Sequence, residues 1–141
     1  MIVIRKPVAG VSAAALSRFV ARAQRSAGLR GSVDVLLAGS GDLRVLNRRF
    51  RGKNHATDVL SFPSGEKNPM GDIAISLGRA RVQARERGHS IETEVCILLL
   101  HGILHLTGLD HETDSGQMAR AELRWQRKLG LPAGLIERSQ S

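Results

Sequence analysis

Cysteine occurs once, at Cys96, tyrosine is absent, and one tryptophan and three phenylalanines make up the aromatic side chains. A lone cysteine excludes an internal disulfide and suits a reducing cytosol. So few aromatics argue against a stacking platform of the kind that reads single-stranded bases. Long apolar runs are missing too: Val95 to Leu100 is far too short to cross a bilayer, and Met1 to Lys6 reads as a short strand, not a leader. The chain is therefore expected to be soluble and cytoplasmic. Gly39-Ser40-Gly41 is neither a phosphate-binding loop nor a dinucleotide fingerprint, so no nucleotide cofactor is expected. Acidic residues are the minority, 13 against 21 Lys plus Arg, for a formal net charge of +8. That surplus favours a polyanionic partner, because each neutralised phosphate releases condensed counterions.

What the chain does have is 141 residues, enough for one domain over 1–141 with a sizeable core and, from about residue 133, a frayed tail. Ile2-Val3-Ile4 reads as a strand leading to a turn at Pro7 and Gly10. Ser12 then caps a helix from Ala13 to Arg25, with Leu16, Phe19, Val20 and Ala23 as its apolar stripe, ending before Gly28. Ser32 to Ala38 alternates as a second strand, and Gly39-Ser40-Gly41 is its turn. A short helix runs from Asp42 to about Arg51, followed by an extended loop to Asp58, a strand Val59 to Phe62 stopped by Pro63, and a connecting loop Ser64 to Met70. Asp72 to Ser76 is a further strand. Ser76 caps a helix from Leu77 to Arg87, Gly88-His89 breaks it, Ser90 caps a long apolar helix Ile91 to Thr107, and a last helix covers Ser115 to Leu129. The order β-α-β-α-β-β-α-α-α predicts an α+β fold, a small mixed sheet of about four strands packed with about five helices around the central apolar helix.

Three of the five histidines lie at the end of that central helix or just beyond it, His101 and His105 within it and His111 after Gly108. Residues four apart on a helix project from one face about one turn apart, so His101 and His105 can point at one ion. Gly108 can enter the left-handed conformation and fold His111 back. Three neutral imidazoles with an open position are the ligand set of a catalytic zinc site, although nickel, copper or cobalt would also be accepted. The competing reading of interior histidines bonded to backbone fits one such residue better than three. The spacing also matches metzincin proteases, but Gly102 stands where their general base Glu would be, which argues against peptide hydrolysis by that mechanism.

The second informative stretch is Arg48 to Lys53, four of whose six residues are basic, placed where a helix hands over to a loop. An arginine there can hold a phosphate in a bidentate grip; Arg48 and Arg49 read better as a solvated basic face. Cys96 reads as core, and His55 and His89, without partners at ligand spacing, as surface. Asp110 either orients a ligand imidazole or caps the turn into the last helix.

Taken together, His101-Gly-Ile-Leu-His105-Leu-Thr-Gly108-Leu-Asp110-His111, Leu46-Asn47-Arg48-Arg49-Phe50-Arg51-Gly52-Lys53, Thr57 to Pro63 and Gly71-Asp72-Ile73 resemble the YbeY family of bacterial endoribonucleases and rRNA maturation factors. The chain departs from that pattern at Leu109, where an aromatic is common, and at Asn54 and Ala56, where Asp and Pro are frequent. The resemblance implies one zinc ion held by His101, His105 and His111, a required arginine at Arg51, and single-strand-specific cleavage in 16S rRNA 3′-end maturation and 70S ribosome quality control. It further implies rRNA and 30S or 70S ribosomal particles as partners, with ribosomal proteins and the GTPase Era as further candidates. In that reading His101 and Arg51 are catalytic, the metal polarising a phosphoryl oxygen or activating water and Arg51 stabilising charge on the scissile phosphate. Gly102 leaves the motif without a general base, so either no separate base is needed or the ribose 2′-hydroxyl is the nucleophile. The alternative is a non-catalytic rRNA or ribosome-assembly binding factor with a structural zinc; a metallohydrolase of another substrate is disfavoured by the basic charge and the missing Glu.

Overall fold

The structure is a computed structural model. It describes residues 2–5, 10–27, 31–51, 57–63, 71–108 and 115–131, without the side chains of Phe50 and Arg51. The turn at Pro7, the stop at Gly28, most of the loop after Arg51, the connection Ser64 to Met70, residues Leu109 to Asp114 with Asp110 and His111, and the tail lie outside the described residues.

β1 (Ile2–Ile4), β2 (Val33–Ala38), β3 (Val59–Pro63) and β4 (Gly71–Ser76) form a sheet in the order β1-β2-β4-β3. β1 and β2, and β2 and β4, run parallel, while β3 pairs with β4 antiparallel. The sheet is thus mixed, as expected of an α+β fold. Strand residues alternate between two faces. Val33, Val35, Leu37, Ile73 and Ile75 turn to the main core, where they meet Leu16, Phe19, Val20 and Ala23 of α1 (Ala13–Ala27). Ala38, Leu60 and Ala74 turn to the other face and meet Leu43 of α2 (Ser40–Arg51).

Helix ends follow their capping chemistry. Ser12 Oγ accepts from the Ala15 amide at 3.2 Å, and Ser76 Oγ accepts from Arg79 at the start of α3 (Leu77–Arg87). Ser90 Oγ does the same for Thr93 at the start of α4 (Ile91–Leu106), while Gly88, at φ 74°, closes α3 in the left-handed region. α2 begins at Ser40, two residues before the expected Asp42, so the Ser40-Gly41 pair belongs to its first turn. Its Ser40 hydroxyl shares a hydrogen bond of 2.9 Å with Ser76, which ties the starts of α2 and α3 together. α5 (Gln117–Leu129) starts two residues later than Ser115, with Gly116 as a cap that offers no side-chain bond.

α4 is the central helix. Val95, Leu98 and Leu99 are fully buried, Ile97 and Ile103 nearly so, because the helix is enclosed by the sheet, α1, α3 and α5. Such a helix has no polar face to spare, and it shows little amphipathic character. The polar side chains it does bury are therefore informative: Glu94 and His101.

Candidate metal and RNA-cleavage site

His101 and His105 sit in the last two turns of α4. Their rings meet edge to face with centroids 4.8 Å apart and planes at 73°. His101 is buried, at 6% exposure, and His105 is half-buried, so the pair runs from the core toward the surface. Behind His101 the Nδ1 atom lies 2.9 Å from Oε2 of Glu122, a carboxylate delivered by α5 and itself buried. The other oxygen of Glu122, Oε1, is buried and meets no hydrogen-bond partner among the described residues.

The helix then ends as the sequence requires. Thr107 Oγ1 donates to the Leu104 carbonyl at 2.5 Å, and the Gly108 amide donates to the His105 carbonyl at 3.0 Å. Gly108 adopts φ 96°, a left-handed conformation open to glycine at no steric cost. This is the bend expected to return His111, which lies outside the described residues.

Gly102 has a structural reason to be glycine. A Cβ there would stand 3.1 Å from Cδ1 and Cγ2 of Ile73 and from Oγ of Ser61, while Ser61 Oγ donates to the Gly102 carbonyl at 3.0 Å. The position faces the sheet, where α4 presses against β3 and β4. A Cβ there is tight, and the longer side chain of a general-base Glu would have to displace Ile73 of β4 or Ser61 of β3.

Arg51 is the last residue of α2, whose apolar side packs on the sheet face opposite α4. The structure thus places the backbone of Arg51 and brings His101 and His105 together. The Arg51 side chain, Asp110 and His111 lie outside the described residues. Arg48 and Arg49 are exposed, in keeping with a solvated basic face. Cys96 is buried in the core, and burial, reinforced by Glu92 and opposed by Arg22, pushes its thiol up to about 12. His89 is half-buried, less exposed than the surface position expected of it; His55 lies outside the described residues.

The donor chemistry suits a divalent transition-metal ion. Two imidazoles share one helix face, and one of them has its inner nitrogen held by a carboxylate, the usual backing of a metal-binding histidine. Among the described residues no group of three or more His, Cys, Asp or Glu gathers to hold an ion. His101 and His105 are the two expected ligands that the described residues hold; His111 lies outside them.

Sequence reasoning missed Glu122. It lies on the face of α5 that buries Met118, Ala121, Gln126 and Leu129. A carboxylate at helical spacing within such a stripe is the signal that could have found it, since charged groups are buried only with partners.

The family model for endoribonuclease YbeY matches residues 7–130. The chain belongs to the YbeY family. It is 56% identical over 140 residues to the endoribonuclease YbeY of Solibacter usitatus, covering 99% of this chain and 95% of that one. With the endoribonuclease YbeY of Koribacter versatilis it shares 53% over 139 residues, covering 99% and 91%. The fold is similar to the solution structure of TM1509 from Thermotoga maritima, with a TM-score of 0.64 and 28% identity over 92% of this chain and 89% of that one. Membership of the YbeY family thus extends over both informative stretches, His101 to His111 and Arg48 to Lys53. No helix among the described residues is long and apolar enough to cross a membrane.

Proposed function

We propose that this chain is a zinc-dependent endoribonuclease specific for single-stranded RNA, acting in 16S rRNA 3′-end maturation and 70S ribosome quality control. The observation that carries the reading is the His101–His105 pair, edge to face at the end of a buried helix, in a chain that belongs to the YbeY family. His101, His105 and His111 would hold the ion, His101 from the core and His105 nearer the surface. Bound there, zinc supplies Lewis-acid chemistry at a phosphodiester. Arg51 offers a guanidinium that can grip the scissile phosphate through two parallel N–H donors and stabilise the charge it gains. The excess of Lys and Arg holds a polyanionic strand against the protein and steers its approach. The working location is the cytoplasm, with rRNA on 30S or 70S particles as the substrate and ribosomal proteins and the GTPase Era as candidate partners.

The test is cleavage of a labelled rRNA 3′-end precursor by nuclease-free protein, run beside folded His105→Ala and Arg51→Ala variants. Loss of cutting in both, by roughly a hundredfold or more for a lost transition-state charge contact, supports one active site containing metal and phosphate clamp. Equal cutting by all three overturns the proposal. A role in binding rRNA, with zinc serving the fold, would then take its place.

A further inference from the structure

A buried carboxylate is an expensive way to fill space. Glu122 is 2% exposed, His101 is 6% exposed, and their contact is a single bond of 2.9 Å, with Oε1 of Glu122 meeting no partner among the described residues. An apolar side chain of similar volume would fill the same place on α5 without desolvating a charge. Packing therefore does not account for Glu122. What the carboxylate can do that a leucine cannot is choose between the two ring nitrogens of His101. Neutral imidazole carries one proton, making one nitrogen a donor and the other an acceptor. An ionised carboxylate only accepts, so the proton it meets must be on Nδ1.

We infer that Glu122 is a positioning residue, which keeps the proton of His101 on Nδ1, turns the ring, and thereby assigns metal ligation to Nε2. The inference rests on the zinc reading above. α5 is firmly seated for this role, since Met118, Ala121 and Leu129 anchor it in the main core, and the Leu131 amide donates to the Gln126 carbonyl at 2.7 Å where Gly130 closes the helix. A carboxylate on such a helix has little freedom to follow the ring, so the ring follows the carboxylate. His105 supplies the second imidazole, its ring centroid 4.8 Å from that of His101.

The experiment compares native protein with Glu122→Gln and Glu122→Leu. Two quantities are read: the ring ¹⁵N shifts of His101 in metal-free protein at about pH 8, above the ordinary histidine range, and zinc affinity by competition with a chromogenic chelator. Native protein is expected to show the proton on Nδ1. Glu122→Leu, with no acceptor, loses that preference, and zinc affinity falls roughly 10- to 100-fold, as for other outer partners of metal ligands. Glu122→Gln, isosteric and still able to accept through its carbonyl, falls between, and it serves alone should the leucine variant fail to fold. A native proton on Nε2, or variants that keep both the tautomer and the affinity, overturns the inference. His105→Ala separates the two readings: if native protein binds zinc no more tightly than this variant, the zinc proposal fails. The tautomer shift in metal-free protein still decides the role of Glu122.

Discussion

On one side of the sheet Val33, Val35, Leu37, Ile73 and Ile75 lie under α1, α4 and α5; on the other, among the described residues, α2 alone lies across Ala38, Leu60 and Ala74. The covered side is filled. The opposite side keeps a hollow of about 580 Å³ floored by Leu36 and Ala74, flanked by Val3, Leu46 and Phe62, with Asp34 and Asp72 as neighbours in register at one end. Interiors are packed like crystals and transmit small shifts, whereas a half-covered face can relax. The two histidines belong to the filled side. A ring held by a helix enclosed on all sides keeps its direction, which a metal or transition-state site requires.

The largest effect expected from breaking this arrangement comes at the contact of α4 with the sheet. Gly102→Glu would place a charged side chain against Ile73 and Ser61, where even a Cβ stands at 3.1 Å. Overpacking and an unpaired buried charge together should cost more than about 3 kcal/mol, or prevent folding altogether. Urea unfolding, or the yield of folded protein, measures it. A variant with a native-like midpoint would mean that α4 and β4 can separate here.

Much of this contact is legible in the sequence. Ser90, the apolar run of α4 and Gly108 mark the central helix because caps and left-handed glycines are local chemistry, and Leu16, Phe19, Val20 and Ala23 mark the stripe of α1 by period alone. Two things are hidden. The neighbours β2 and β4 are joined through residues 39 to 70, and no local signal names a parallel partner at that range. Glu122 is hidden because a charged residue in an amphipathic helix ordinarily faces water; only the packing of α5 on α4 shows this one turned inward. Ser40 is misplaced for a milder reason: glycine on either side of it reads as a turn, yet its hydroxyl bonds Ser76 inside the helix.

A second test asks how dry the filled side is. Cys96 is buried there, and its thiol is pushed up to about 12 by burial first and by Glu92 second, from an ordinary 9.0. The folded state therefore holds the proton where the unfolded chain gives it up. Below about pH 9 both states carry it and pH has no leverage through this group; from there toward 12 the unfolded chain binds fewer protons, so stability falls as pH rises. The slope contributed is at most about 1.4 kcal/mol per pH unit, and Cys96→Ala should flatten it. In the folded protein below pH 9 alkylation of Cys96 should be slow, its rate rising only under denaturant. Rapid alkylation of the folded protein would show that water reaches the inner side of α4.

The finest test uses the same substitution on the two faces. Valine and threonine have nearly the same shape, so Val→Thr changes polarity with little change in volume, and each site reports mainly on its water. Val33, 5% exposed on β2, faces the filled side, and a hydroxyl there without a new partner should cost about 1–3 kcal/mol. Val3, 44% exposed on β1, borders the hollow, and the same change should stay within about 0.5 kcal/mol. Both strands keep a β-branched residue, so strand preference does not separate the variants. Urea midpoints at a shared slope give the two values. Equal costs would mean that the hollow excludes water as fully as the core does, and the contrast between the faces would collapse. A smaller cost at Val3 locates the protein's rigidity on the side that holds His101 and His105.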